Sequence, residues 1–214
     1  MTRIESVSAQ PDRAGRYYLK LSDGSTLRLY KQTVQDFGLY TGLELSDGQL
    51  SSLKKSAAAM SAKMRAVRIV TASNVSKKDL KQRLVQKGED PEQAEAAVSW
   101  MEDLNLIDDE KTAQLLVQRC ASKGYGIARA KQMLYEKKIP KSLWEEALAD
   151  YPDQSEHILS FLRSRLGEQW EEKDLKKAID ALLRRGHGYS EIRQCLQQFQ
   201  SETEDFREDY EWQT

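Results

Sequence analysis

The sequence predicts a mainly α-helical protein: three tandem three-helix repeats forming an elongated, solenoid-like stack, preceded by a small N-terminal β-hairpin segment. Three observations predict it. The first 45 residues alternate in polarity at the two-residue period of strands, the chain from Ser46 to about residue 200 follows the helical period, and that helical part repeats itself at offsets of 50 and 48 residues. Composition agrees. Of 214 residues, 39% are hydrophobic, 31% charged and only 8% aromatic, which suits slim helical layers with much solvated surface better than a compact α/β enzyme.

Residues 1–45 form the strand-rich segment. RYYLKL (16–21) and STLRLY (25–30) flank Ser22-Asp23-Gly24, and Asp-Gly can supply the positive φ of a tight hairpin turn. Residues 2–8 alternate weakly and offer a third strand. A short helix is expected over 31–37, ended by Gly38. Two or three strands are marginal alone, so this segment is expected to need the helices beside it.

The helical repeats are expected over 46–106, 107–152 and 153–200. Superposing DLKQRLVQKGEDPEQAEAAV (79–98), RAKQMLYEKKIPKSLWEEAL (129–148) and KAIDALLRRGHGYSEIRQCL (177–196) brings Leu84, Leu134 and Leu182 together. Ala94, Trp144 and Ile192 coincide, as do Ala97, Ala147 and Cys195, and Val98, Leu148 and Leu196. Each repeat reads helix, turn, helix with a further helix upstream, over about 57–72, 109–122 and 154–166. Ser76, Asp90 and Ser190 supply helix-start chemistry, and Gly88 and Gly186 end the middle helix, where a left-handed residue is needed. Lys138 takes that place in repeat two. Such a unit leaves apolar surface that stacking against its neighbour would cover.

Charge is unevenly spread. Residues 1–200 hold 32 Lys/Arg and 28 Asp/Glu, whereas 201–214 hold one Arg and six acids. This acidic tail reads as disordered and solvated, and is expected to compete with a partner for the basic body.

Several function classes find no support. Nothing approaches a membrane span or a signal peptide, so a cytoplasmic protein is expected. Cys120 and Cys195 sit at apolar helical positions and read as buried small side chains. His157 and His187 have no Cys or carboxylate at metal-ligand spacing and read as surface or capping residues. Gly124-Tyr125-Gly126 lacks the Lys-Ser/Thr of a phosphate loop, and no nucleophile elbow occurs. Catalytic residues, cofactors and metals are therefore not expected.

The stretch Ile107-Asp108-Asp109, Ala113, Arg119, Lys123-Gly124, Gly126, Arg129, Leu134, Lys137 and Ile139 resembles a pattern of the RecX family, as does Arg184-Arg185-Gly186, Tyr189, Ile192 and Leu196 in the third repeat. Leu39, Gly42, Glu44, Leu45 and Ser46 after the strands resemble Gram-positive-type members. Thr112, Ala130, His187 and Ser73 depart from the family's usual aromatic, Ile, Phe and Arg. The resemblance spans about residues 1–199. It implies a non-enzymatic, monomeric regulator that binds the RecA nucleoprotein filament and inhibits its ATPase, strand exchange and SOS activity in homologous recombination and DNA repair.

The middle helices are rich in cations, which a basic ridge facing an acidic protein surface or phosphates would explain. Lys137 and Arg185, aligned with Lys87, also complement a helix dipole, so both readings stand. Arg119, Lys123, Tyr125 and Arg129 cluster around the glycine-flanked turn of repeat two and, with Lys137, Arg184 and Arg185, are the candidate partner-binding residues. Arg119 or Arg129 bridging Asp108, Asp109 or Glu110 is the structural alternative. Basic middle helices also resemble helix-turn-helix units, so direct, weak binding of single- or double-stranded DNA is the second functional reading.

Overall fold

Alternating residues make the N-terminal sheet. The computed structural model describes residues 1–166 and 170–211, with side chains through Ser201. Strands β1 (Thr2–Val7), β2 (Arg16–Leu21) and β3 (Thr26–Tyr30) are followed by helix α1 (Lys31–Asp36) and a two-residue strand β4 (Glu44–Leu45). The sheet is antiparallel in the order β3-β2-β1-β4. One strand more than expected is present, because β4 is too short for its alternation to register. Leu19 pairs with Leu27, and Tyr17 with Leu29, on the face that covers the core; Tyr18 pairs with Arg28, and Arg16 with Tyr30, on the other. Ile4, Leu19, Leu21, Leu29, Leu39 and Leu45 pack with Leu53 of the next helix.

That helix, α2 (Asp47–Ala72), begins ten residues before the expected start. Ser46 and Gln49 form a capping box: the Ser46 hydroxyl accepts from the Gln49 amide at 3.3 Å, and the Gln49 side chain accepts from the Ser46 amide at 2.9 Å. The 26 residues run about 39 Å at the α-helical rise, enough to serve two cores. Leu53 lies in the sheet core, while Ala62, Ala66 and Ile69 lie in the core of repeat one with α3 (Lys77–Gln86) and α4 (Pro91–Asp103). Small residues at Ala62, Ala66, Ala94 and Ala97 let α2 and α4 approach closely.

Two compact units result: Met1–Asp108, holding the sheet and repeat one, and a second from Asp109 onward. In the second unit, α5 (Asp109–Ser122), α6 (Ile127–Glu136), a 3-10 turn (Lys141–Leu143) and α7 (Trp144–Leu148) surround Ala113, Leu116, Val117, Cys120, Leu134 and Ile139. Helices α8 (Ser155–Leu166), α9 (Glu172–Arg184) and α10 (Tyr189–Glu211) surround Ile158, Leu162, Leu182, Ile192, Cys195 and Phe199, with Trp170 partly buried against them. The cysteines are in separate cores, and burial pushes both thiols up.

The aligned leucines share a role. Leu84, Leu134 and Leu182 are 0, 0 and 1% exposed. Each also accepts, through its carbonyl, the amide five residues on: Glu89 at 3.1 Å, Ile139 at 3.0 Å and His187 at 3.2 Å. Each middle helix thus ends in the same doubly bonded turn, with a left-handed residue just beyond the cap. That residue is Gly88 (φ 88°), Lys138 (φ 57°) or Gly186 (φ 87°), so Lys138 holds a glycine's conformation.

Two further expectations are corrected. The third helix of repeat three starts at Tyr189, with the Glu191 carboxylate accepting from the Gly188 amide at 2.9 Å, so Ser190 lies inside the first turn and is not the cap. The acidic tail, expected to be disordered, continues α10 as helix to Glu211; residues 212–214 lie outside the described residues.

Candidate partner-binding site

The candidate residues of repeats two and three, Lys137 excepted, gather about one seam inside the second unit. The turn after α5 (124–126) lies against the turn after α9 (185–188). Backbone hydrogen bonds join them: the Gly126 amide donates to the Arg185 carbonyl at 3.0 Å, and the Ala128 amide donates to the Gly186 carbonyl at 3.2 Å. Gly126 and Gly186 are both buried. A Cβ on Gly126 would overlap the Gly186 carbonyl, and one on Gly186 would overlap the Arg129 backbone. The two glycines are required by this close approach.

His187 closes the seam. It is 4% exposed, contrary to the surface or capping role expected of it, and its Nε2 lies 3.1 Å from the Gly124 carbonyl oxygen. A carbonyl only accepts, so Nε2 carries the proton and Nδ1 is the bare acceptor of the neutral ring. Nδ1 is buried without a hydrogen-bond partner among the described residues. Burial, chiefly, holds the ring's pKa below its ordinary value, with Arg185 and His157 acting in the same direction against the Gly124 carbonyl and Glu191. His157 stays exposed and its ring covers Gly124.

Around this seam the cations gather. Arg119 and Lys123 are exposed at the end of α5, and Arg184 is exposed at the end of α9. The positive charges of Arg129, Lys123 and Arg119 all oppose the upward push that burial gives the Cys120 thiol. Arg129 is half-buried and pairs with Glu136 at 3.4 Å. The Arg185 guanidinium lies 4.6 Å from the centre of the Phe161 ring, a cation–π contact. Lys137 caps the far end of α6, about 15 Å along the helix, and does not join the cluster. Tyr125 is not the exposed contact that its glycine neighbours suggest. It is half-buried against the core of repeat two, and its carbonyl accepts from the Tyr151 hydroxyl at 2.6 Å. Burial pushes that hydroxyl's pKa up to about 12.

Sequence reasoning missed His187, Tyr151 and Glu191, which hold the seam without belonging to any surface motif. The basic residues of repeat one are also less free than their number suggests. Lys77 pairs with Glu102 at 2.7 Å, Lys81 pairs with Glu95, and Arg83 pairs with Asp79 at 2.8 Å. Among the described residues, no group of His, Cys, Asp and Glu could hold a metal, and no helix is long and apolar enough to cross a membrane.

Comparison with known proteins agrees with this architecture. A family model described as RecX, second three-helix domain, matches residues 108–148. The chain is 26% identical over 202 residues to the regulatory protein RecX of Clostridioides difficile, covering 92% of this chain and 93% of the relative. It is 32% identical over 133 residues to that of Xanthomonas axonopodis pv. citri, covering 60% of this chain and 82% of the relative. The crystal structure of a regulatory protein RecX superposes with a TM-score of 0.61 at 21% identity, covering 91% of this chain and all of that one. That of RecX from Lactobacillus salivarius gives 0.59 at 20% identity, over 68% of this chain and 98% of that one. The chain belongs to the RecX family of regulatory proteins.

Proposed function

We propose that this chain is a cytoplasmic, monomeric, non-enzymatic regulator that binds the RecA nucleoprotein filament and inhibits its ATPase and strand exchange. Family membership supports the reading. The observation that carries it is the cationic cluster at the seam of repeats two and three. Arg119, Lys123 and Arg184 are exposed there on a scaffold held by backbone hydrogen bonds, which suits an acidic partner surface. Regulation then works by occupancy. Contacts from successive repeats of one chain to neighbouring filament subunits add avidity that no single contact has. The three helical repeats, taken as 46–106, 107–152 and 153–200, are the units of that contact.

The test is RecA ATPase on single-stranded DNA with and without the protein. Turnover should fall as the protein is added. A Lys123→Glu, Arg184→Glu double variant of unchanged thermal stability should inhibit at least about tenfold less well, the effect of about 1.4 kcal/mol lost from binding. Unchanged turnover at saturating wild-type protein would exclude the reading.

A further inference from the structure

The first unit carries a second basic site, which neither the seam nor the family comparison accounts for. A groove of about 350 Å³ is lined by Arg65, Arg68, Ile69, Ala72, Ser73, Arg83 and Lys87. Four of these seven residues are cationic, and no carboxylate is among them. We propose that this groove binds the phosphate backbone of a nucleic-acid strand.

The ion pairs beside the groove decide its character. Arg65 Nε donates to Glu89 at 2.6 Å, and Arg83 pairs with Asp79 at 2.8 Å. Both acids are nearly buried, with side chains 7% exposed, whereas Arg65 and Arg83 are 34 and 37% exposed. The anions therefore stand behind the guanidinium groups and the cations face the groove. The Ser61 hydroxyl donates to the same Glu89 oxygen, Oε1, at 2.9 Å. Each guanidinium has five N–H donors in a planar fork, so one anchored to a carboxylate keeps others for a second oxyanion. Anchoring also lowers the ordering cost of binding.

Arg68 extends the site towards the sheet. Its Nη2 donates to the Tyr30 hydroxyl at 3.0 Å and to the Ala14 carbonyl at 2.9 Å. Tyr30 lies opposite Arg16 on the outer face of the sheet, next to the pair Tyr18 and Arg28. Tyr18 is 38% exposed with the Arg28 guanidinium 5.8 Å from its ring centre. A cationic groove leading to an aromatic and arginine face is the combination that tracks a phosphodiester backbone while offering ring faces to bases. Dipole compensation at helix ends explains Lys87, which caps α3, but not Arg65 and Arg68, one to two turns before the end of α2. An acidic peptide suits the site less well, because Ile69 and Ala72 are the only apolar side chains that could anchor it.

This inference does not rest on filament binding, and its test contains no recombinase. Anisotropy of a fluorescein-labelled oligothymidylate of about 20 nucleotides is measured from about 50 to about 200 mM NaCl. Arg68→Gln with Lys87→Gln removes two groove cations that are not paired with the buried acids. Lys131→Gln with Arg193→Gln removes two exposed cations of the other unit and matches the net charge. The groove variant should bind about tenfold more weakly at low salt, and its salt slope should fall by about 1 to 2, while the matched variant keeps both values. Lys87→Gln alone, read beside thermal melting, serves if loss of the Arg68 contacts lowers stability, and should give about half the change in slope. Equal loss in groove and matched variants, or no binding by the wild-type chain at low salt, overturns the proposal. So does a groove variant that keeps the wild-type oligothymidylate affinity and salt slope.

Discussion

Gly126 and Gly186 lie back to back, 60 residues apart in the chain, with the Gly126 amide bonded to the Arg185 carbonyl at 3.0 Å and no room for a side chain on either. The exposed Lys123, Arg184 and Arg185 lie within three residues of one or the other of these glycines. Gly126→Ala should therefore part the two turns. Forced overpacking costs about 1–3 kcal/mol, and for a chain of this size each kcal/mol lowers Tm by about 2–4 °C. Calorimetry should show that loss, and the proposed function adds that the variant inhibits RecA ATPase less than the wild type does. An unchanged Tm would mean that the seam opens freely.

Lys138 is the one left-handed C′ residue of the three middle helices that is not glycine. A non-glycine residue in this conformation costs about 1–2 kcal/mol, against about 0.5–1 kcal/mol for glycine's greater chain entropy. Lys138→Gly should therefore stabilise by about 0.5–1 kcal/mol, raising Tm by a few degrees. Urea denaturation checks it. A loss of stability would mean that the lysine's own side-chain contacts outweigh the strain.

His187 makes the stability of repeat three depend on pH. Its folded pKa is depressed below the ordinary 6.5, so between the two values the unfolded chain binds more protons than the folded one. Stability is then complete above about pH 6.5 and is lost as pH falls through the folded value. Urea midpoints of the wild type should decline between about pH 7.5 and about pH 5, and His187→Phe should flatten that part of the profile. Equal slopes in the two proteins would show that the histidine titrates as it does in the unfolded chain.

Leu84, Leu134 and Leu182 should be equivalent in energy as well as position. Truncating each to Ala should cost about 2–5 kcal/mol, the range for a fully enclosed leucine. Denaturant titration of the three variants gives the ranking directly. A cost below about 1 kcal/mol at Leu134 would argue against a common core position, because partial collapse of the site does not recover that much.

Much of the helical architecture was legible in the chain because its causes are local. Leu84, Leu134 and Leu182 recur at offsets of 50 and 48 because each middle helix must bury the same face, and Gly88 and Gly186 follow because its C-terminal turn needs a left-handed residue. The alternation of 16–21 and 25–30 likewise marked two paired strands. The start of α2 was missed because Gly48 and a polar first turn weaken the periodicity, although the Ser46 and Gln49 box was present to mark it. The rest was decided by contacts between distant segments. No periodicity relates Gly126 to Gly186, or His187 to Gly124, so a histidine in a turn read as exposed became the buried closure of a seam. Tyr125 turned inward for the same reason, since its neighbours' glycines serve a backbone approach and not a partner. In the first unit, composition counts Asp79 and Glu89 against the nearby cations. The Asp79–Arg83 pair is local, four residues apart on α3, but only the tertiary structure buries both carboxylates and brings Glu89 to Arg65, so that the groove in front of them is positive. Residue type and spacing determine which helices form and which face is apolar; the sign of a surface and the exposure of a turn depend on what packs behind it.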